Sequence, residues 1–142
     1  MAALRILLVE DNPDDRDLTT VALGESDVET ELVIAEDGVV ALEILRKEGE
    51  HTGVQTPDLI VLDLNLPRKS GFQVLDELKS DPDLKSIPVT VLTTSNEVRD
   101  VLTAYESYAN GYVVKPVDLD EFIGAVKAIT EFWGTVGQLP PN

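Results

Sequence analysis

The fold is decided by residues 59–71, which read LIVLDLNLPRKSG. Four apolar residues lead directly into Asp63, and Pro67 and Gly71 follow it at fixed offsets. A short, continuous apolar run is typical of a strand that is covered on both faces of a parallel sheet. A carboxylate placed directly after such a strand needs a reason, and the ends of the other strands supply one.

Four further apolar runs alternate with amphipathic segments. The five predicted strands cover residues 5–9, 30–35, 59–62, 89–93 and 111–114. Helix signals lie between and after them: starts at Asn12–Pro13, at Asp37, at Thr94 or Ser95, and at a capping box of Asp118 with Glu121, and stops at Gly49 and before Pro82. This alternation predicts an α/β fold, a doubly wound (βα)5 sandwich with one five-stranded parallel sheet.

Composition limits the class of protein. A chain of 142 residues favours one compact domain, and the absence of cysteine excludes disulfides, thiolate metal sites and cysteine nucleophiles. The sequence contains no signal-peptide pattern and no apolar stretch approaching the ~18 residues of a membrane helix, so a cytoplasmic protein without membrane partners is expected.

The charge is unusually negative. Lysine and arginine number 11 against 27 aspartates and glutamates, a net charge of −16. Nucleic-acid binding is therefore not expected, because no basic surface of useful size can form. Two interpretations of the acidity stay open: an ordinary solvated surface, or adaptation to high salt, which screens self-repulsion.

Polar side chains stand where four of the predicted strands end. Glu10 and Asp11 follow the first strand, Asp63 follows the third, Thr93 ends the fourth, and Lys115 follows the fifth. Right-handed crossovers bring these ends to one edge of the sheet. Two carboxylates about 4 Å apart repel by roughly 4 kcal/mol at an effective dielectric constant near 20, so a cation is expected. A ligand set made only of oxygen atoms suits Mg²⁺.

Each of these residues has a chemical role that fits phosphoryl transfer. Asp63 is a candidate nucleophile, Lys115 can pair with a carboxylate and later with a phosphoryl oxygen, and the Thr93 hydroxyl can donate to another oxygen. Taken singly, each also has an ordinary explanation as a cap, a turn residue or a helix-start acid. The ordered set on successive strand ends favours the functional interpretation.

The motifs LLVEDN, LDLNLPRKSG with its D-x4-P-x3-G spacing, VLTTS and GYVVKP together resemble response-regulator receiver domains of two-component signalling, the CheY-like family. The resemblance covers nearly the whole chain. It implies a flavodoxin-like receiver fold that accepts a phosphoryl group on Asp63 from a sensor histidine kinase, with Mg²⁺ as cofactor.

The resemblance also implies roles for individual residues. Asp11, Asp63 and the backbone carbonyl of Asn65 would bind Mg²⁺, with Glu10 acting largely through water. Thr93 and Tyr112 would form a coupled switch pair. The structural positions would be Pro67, Gly71 and Pro116, with the Lys115–Pro116 bond cis.

A narrower likeness concerns the segments EGEHTGVQTPD, LNLPRKSGF, VLTTSN and TEFWGTVGQLP. They are similar to the single-domain response regulators associated with phytochrome-type sensor kinases. This likeness implies one receiver domain over residues 1–142, with a core of about 4–131, a helical extension of about 132–142, no output domain, and a phytochrome-like kinase as partner.

Several alternatives remain open. The apolar tail residues Phe132, Trp133, Val136 and Leu139 either fold back onto the core or, as we favour, support a homodimer with the fourth and fifth elements. The only histidine, His51, lies in a polar loop and is expected to be an ordinary loop residue. Two rival functions are a haloacid-dehalogenase-type phosphatase, which would have an acid where this chain has Asn65, and a binding module that works without phosphorylation.

Overall fold

A computed structural model describes residues 3–141 and shows one five-stranded parallel sheet in the order β2-β1-β3-β4-β5. The strands are β1 Leu4–Val9, β2 Thr30–Ala35, β3 Leu59–Leu62, β4 Val89–Thr93 and β5 Gly111–Val114. The predicted doubly wound (βα)5 fold is confirmed. Four strands have the predicted bounds, and β1 begins one residue earlier than expected.

Five helices connect and follow the strands: α1 Pro13–Glu25, α2 Gly38–Leu45, α3 Gly71–Ser80, α4 Val98–Glu106 and α5 Leu119–Glu131. A 3-10 turn at Gly49–His51 precedes β3, and a π-helical turn at Phe132–Val136 follows α5. No helix between residues 3 and 141 is both long enough and apolar enough to cross a membrane.

The capping predictions succeed where the partner is local. Asn12 accepts hydrogen bonds from the N–H groups of Asp14 and Asp15, and Asp37 accepts one from Val40. Asp118 accepts from the Glu121 N–H, which is one half of the predicted capping box. A full capping box occurs at Ser70, where sequence analysis placed none.

Two helix boundaries were predicted wrongly. Helix α2 ends at Leu45, four residues before Gly49, because Lys47 already adopts a left-handed backbone with φ of 56°. Helix α4 begins at Val98 and not at Thr94 or Ser95. Ser95 belongs to the loop, since its carbonyl accepts from Tyr112 and its hydroxyl donates to Asp100.

The sheet separates two apolar clusters. One cluster packs the sheet against α2, α3 and Ala104 of α4, and the other packs it against α1 and α5. All four residues of β3 are buried, as the continuous apolar run predicts. Edge strand β2 differs, because Val33 and Ile34 are partly exposed. The central strands are therefore buried between the two clusters, and the site lies at their carboxyl ends.

The C-terminal tail was expected either to fold back onto the core or to present apolar surface for a homodimer, and its residues do some of each. Trp133 and Leu139 pack against the α1–α5 cluster, whereas Phe132 and Val136 are exposed. A Cβ on Gly134 would lie 2.6 Å from the Val28 side chain, so this turn sits close against the connection to β2. Part of the tail thus folds back, and part presents apolar surface outward.

Candidate functional site

The carboxyl ends of β1 and β3 are joined by backbone hydrogen bonds that place the acidic residues side by side. The Asp63 N–H donates to the Val9 carbonyl at 3.1 Å, directly beyond the paired residues Val9 and Leu62. One carboxylate oxygen from each of Glu10, Asp11 and Asp63 lies within 4.8 Å of the others. Glu10 and Asp63 are buried, and Asp11 is exposed at the mouth of the group. Strand pairing therefore creates the acidic group that the sequence predicts.

The side chain of Lys115 fills the space beside these carboxylates. Its Nζ lies 2.6 Å from Glu10 Oε1, 2.8 Å from Asp15 Oδ2 and 2.9 Å from Asp63 Oδ2. The Lys115 side chain is only 5% exposed. Strand β5 delivers it, because the Lys115 N–H donates to the Thr93 carbonyl at 2.7 Å. One buried ammonium is therefore shared by three carboxylates.

The electrostatics of this group follow from burial and from the shared ammonium. Burial opposes the charge of Lys115, but hydrogen bonds to Asp15, Glu10 and Asp63 outweigh it and hold the pKa of Lys115 above its usual value. Burial raises the pKa of Glu10 to about 7 despite the hydrogen bond from Lys115, and Asp63 adds repulsion. The site carries more negative charge than one ammonium can balance, so it favours a further cation.

Asp63 is held at both carboxylate oxygens. Oδ1 accepts from the Asn65 N–H at 3.1 Å, while Oδ2 accepts from Lys115. Asn65 itself is exposed at the rim. These two contacts fix the orientation of the carboxylate, and an aspartate carboxylate can act as a nucleophile.

The β3–α3 loop is shaped by the two predicted structural positions. The Gly71 N–H donates to the Leu64 carbonyl, and a Cβ on Gly71 would lie 2.2 Å from the Asp63 carbonyl oxygen. The Lys69 N–H donates to the carbonyl of Pro67 at 2.7 Å and closes the turn. Gly71 is therefore required for space, because any side chain would displace the backbone of Asp63.

Ion pairs that sequence analysis missed fix this loop to its neighbours. Arg68 contacts Asp37 at 3.1 Å, and Lys69 pairs with Glu77, which also contacts Arg46. The hydrogen bond from Lys69 is the main cause that lowers the pKa of Glu77. These partners lie up to 31 residues apart, so no local pattern identifies them.

Among residues 3–141, the Thr93 hydroxyl is the one buried site group without a hydrogen-bond partner. Thr93 is fully buried at the end of β4, and its Oγ1 has no hydrogen-bond partner among residues 3–141. A buried hydroxyl left without a partner costs about 1–3 kcal/mol. The cost is explained if the hydroxyl is kept free for a ligand oxygen at the site.

Tyr112 of β5 is tied to the β4–α4 loop. Its hydroxyl donates to the Ser95 carbonyl at 2.9 Å, and the Ser95 hydroxyl donates to Asp100 at 2.5 Å. The ring packs partly against the cluster under α2 and α3. Burial raises the pKa of Tyr112, and the nearby carboxylate of Asp100 adds to the effect. The ring therefore links β5 to a loop two residues beyond Thr93.

One expectation for this edge was wrong. The Lys115–Pro116 bond is trans, as are all peptide bonds between residues 3 and 141. The trans form is the ordinary one for X–Pro bonds, and Lys115 reaches all three carboxylates in it.

Two further features lie away from the site. His51 belongs to the 3-10 turn between α2 and β3, and therefore to the connection that enters the opposite edge of the sheet. A cavity of about 450 Å³, lined by residues that include Arg5, Asp58, Pro88 and Leu139, contains none of the predicted site residues. This cavity is therefore separate from the cluster of carboxylates around Lys115.

Fold and site together define a class: a doubly wound α/β domain with a buried lysine and a cluster of carboxylates at the carboxyl edge of its sheet. Residues 6–127 match the family model described as the response regulator receiver domain. The chain belongs to this family, as the motifs predict. It is therefore a two-component signalling switch, and neither the phosphatase nor the phosphorylation-independent module is favoured.

Several known response regulators are similar to this chain over nearly its whole length. Response regulator Rcp1 of Synechocystis is 44% identical over 135 residues, which are 95% of this chain and 92% of Rcp1. The crystal structure of the phosphorylated cyanobacterial phytochrome response regulator RcpA has a TM-score of 0.95 and 46% identity, and the match covers 99% of this chain and 100% of RcpA. The Mn²⁺-bound form of Rcp1 has a TM-score of 0.92 and 44% identity, and the match covers 96% of this chain and 99% of Rcp1. The predicted similarity to phytochrome-associated response regulators is confirmed.

Proposed function

We propose that this response regulator accepts a phosphoryl group on Asp63 from the phosphohistidine of a phytochrome-type sensor kinase. The observation that carries the proposal is the buried pair of Asp63 and Lys115, 2.9 Å apart. The Thr93 hydroxyl on the adjacent strand supports it, because this buried group has no hydrogen-bond partner in the part of the chain that the structure describes. The similarity to the phytochrome response regulator RcpA supports the choice of kinase.

The transfer needs a nucleophile and neutralisation of charge. A carboxylate oxygen of Asp63 attacks the phosphorus; a P–O bond forms as the P–N bond to the kinase histidine breaks, and its electron pair returns to the imidazole. Lys115 exchanges one carboxylate contact for a phosphoryl oxygen, and the Thr93 hydroxyl donates to another. Both side chains therefore stabilise the negative charge on the phosphoryl oxygens during and after the transfer.

The oxygen atoms at this edge fit a divalent cation. Three carboxylates offer one oxygen each within 4.8 Å, in a chain without cysteine, which suits Mg²⁺. We assign Mg²⁺ binding to Asp11, Asp63 and the carbonyl of Asn65, with Glu10 acting through water. When bound, Mg²⁺ neutralises negative charge on the phosphoryl oxygens. The Mn²⁺-bound form of the similar Rcp1 supports this assignment.

Phosphorylation would change the conformation of the β4–α4 loop through Thr93 and Tyr112. As the Thr93 hydroxyl turns to the phosphoryl group, the β4–α4 loop moves, and the hydrogen bond from the Tyr112 hydroxyl to the Ser95 carbonyl breaks. This loop leads into α4, which exposes Val98 and Leu102. The phosphoryl group would therefore change the affinity of this apolar surface for a partner.

A second copy of the chain is the partner that we assign to this surface. Exposed apolar residues on α4, around β5 and in the tail support a homodimer; they are Val98, Leu102, Tyr105, Val117, Leu119, Phe132 and Val136. Light scattering at tens of micromolar protein, with and without phosphorylation and in low and high salt, tests it. A strict monomer in every condition would reject the homodimer.

The phosphorylation itself is tested by intact mass after incubation with Mg²⁺ and acetyl phosphate. We expect one labile phosphoryl adduct that requires Mg²⁺ and is absent from Asp63→Asn, an isosteric variant that removes the nucleophile. Asp58→Asn is the matched control, since Asp58 lies before β3 at the opposite edge. An unmodified but folded wild-type protein, or an adduct that persists in Asp63→Asn, would reject the proposal.

A further inference from the structure

We propose that Asp15 is a positioning residue that keeps the ammonium of Lys115 beside Asp63 when Asp63, and Glu10 through water, would hold a metal. Asp15 is a helix-start acid by its sequence pattern and is not among the predicted site residues. The inference rests on the proposed function, and it adds a residue outside the metal-binding group.

The geometry makes Asp15 a full partner of the lysine. Lys115 Nζ donates to Asp15 Oδ2 at 2.8 Å, a distance equal to those of its other two partners within 0.2 Å. An ammonium has three N–H donors, and here three carboxylates surround it. The Asp15 side chain is 21% exposed and lies at the outer side of the buried pair, whereas the Glu10 and Asp63 side chains are 3% and 8% exposed.

The three partners differ in what a metal would demand of them. Glu10 and Asp63 belong to the group whose oxygens lie within 4.8 Å of one another, together with Asp11, and Asp15 does not. A lysine with only Glu10 and Asp63 as partners would depend entirely on carboxylates that would also hold a divalent cation, directly or through water. Asp15 offers a carboxylate that the cation does not need. Lys115 can then stay within reach of the phosphoryl group while the metal is bound.

The start of α1 holds Asp15 in place. Asn12 accepts from the N–H groups of both Asp14 and Asp15, so the first turn is capped without the Asp15 carboxylate. The Asp15 carbonyl accepts from the Thr19 hydroxyl and not from the site. The carboxylate of Asp15 is therefore free to serve Lys115.

Asp14 provides a matched control for the ordinary explanation. An acid in the first turn of a helix is favoured by the helix dipole, and Asp14 meets that description equally well. Asp14 is exposed, and Lys115 contacts Asp15 and not Asp14. If Asp15 only complements the helix, Asp15→Asn and Asp14→Asn will behave alike.

The test is Mg²⁺ titration calorimetry on the unphosphorylated protein, in wild type, Asp15→Asn and Asp14→Asn, each with Lys115 and with Lys115→Ala. We expect Asp15→Asn to weaken Mg²⁺ binding about tenfold more than Asp14→Asn. A loss of this size is typical when a group that hydrogen-bonds behind the metal ligands is removed. With Lys115→Ala the two variants should differ by less than about twofold, because the ammonium that Asp15 contacts is gone. At saturating Mg²⁺, the rate of phosphorylation by acetyl phosphate should still fall in Asp15→Asn alone.

Equal Mg²⁺ affinities for the two single variants, or a tenfold difference that persists with Lys115→Ala, would overturn the role of Asp15. If Asp15→Asn does not fold, Asp15→Glu replaces it as the test. Mg²⁺ affinity within threefold of wild type would support a contact between a carboxylate and Lys115. A phosphorylation rate as low as that of Lys115→Ala would oppose it. A wild-type protein that neither binds Mg²⁺ nor becomes phosphorylated would instead reject the proposed function.

Discussion

Replacing Gly71 by alanine is the sharpest test of how the fold holds Asp63. A Cβ at this position would lie 2.2 Å from the Asp63 carbonyl oxygen and 2.5 Å from the Leu64 Cα, far inside ordinary contact. Both atoms belong to the backbone, so no side chain can rotate to make room. The substitution must therefore push the residue that carries the proposed phosphoacceptor.

The expected loss of stability follows from this overlap. Overpacking costs typically 1–3 kcal/mol, and a backbone obstacle places Gly71→Ala near the upper value of about 3 kcal/mol. Alanine in place of glycine returns about 0.5–1 kcal/mol of unfolded-state entropy. The net destabilisation is about 2 kcal/mol, which lowers the thermal midpoint by roughly 8 °C in a domain of this size.

Gly124→Ala is the matched control. Gly124 lies within α5, is exposed, and would present its Cβ to nothing within 4 Å. We expect a gain of about 0.5–1 kcal/mol there. Urea unfolding followed by circular dichroism gives both values, and calorimetry should show weaker Mg²⁺ binding for Gly71→Ala alone. If Gly71→Ala is as stable as Gly124→Ala and binds Mg²⁺ like wild type, the steric account of the loop is wrong.

Three further predictions concern charge and the switch. The pKa of Glu77 is lowered chiefly by the hydrogen bond from Lys69, so this carboxylate stabilises the fold above its unfolded pKa of about 4.5, and the contribution is lost as pH falls through the lower folded value. Glu77→Gln should lower the free energy of unfolding by at most about 1 kcal/mol at pH 7, and it should flatten the loss of stability at acid pH. Asp76→Asn, at an exposed neighbouring position, should not flatten this loss. If the two variants lose stability alike as the pH falls, the prediction is contradicted. With a net charge of −16, the thermal midpoint should rise between low and molar salt, and an unchanged midpoint would remove the high-salt interpretation. Tyr112→Phe removes the bond to the Ser95 carbonyl, so it should cost about 1 kcal/mol and speed amide exchange in the β4–α4 loop; unaltered exchange would show that this bond does not hold the loop.

The strands were predictable because their signal is local and strong. The buried run at residues 59–62 has no competing interpretation, and its bounds were predicted without error. The carboxylate group could also be expected, since parallel strands bring their carboxyl ends to one edge. Fold class and site location thus follow from short segments and one topological rule.

The missed features depend on contacts between distant residues. Helix α4 begins later than predicted because Ser95 is bound by Tyr112, which lies 17 residues further along the chain. Asp15 contacts Lys115 across 100 residues, and nothing in its local pattern distinguishes it from Asp14. Such partners appear only after the sheet order is known.

The site is also where the interior departs from the rule that buried polar groups are satisfied. Among residues 3–141 only two buried side-chain polar atoms lack a hydrogen-bond partner, and one of them is Thr93 Oγ1. The other, Arg5 Nε, lies near Glu31 toward the opposite end of the sheet. A surplus of carboxylates around Lys115 lies at the same edge as the Thr93 hydroxyl, so two ligands bound side by side would correct both departures. A cation would balance the charge, and a phosphoryl oxygen would accept from Thr93. A local cost in free energy that bound ligands remove can drive a two-state switch, because a ligand shifts the equilibrium only by favouring one state through its own contacts.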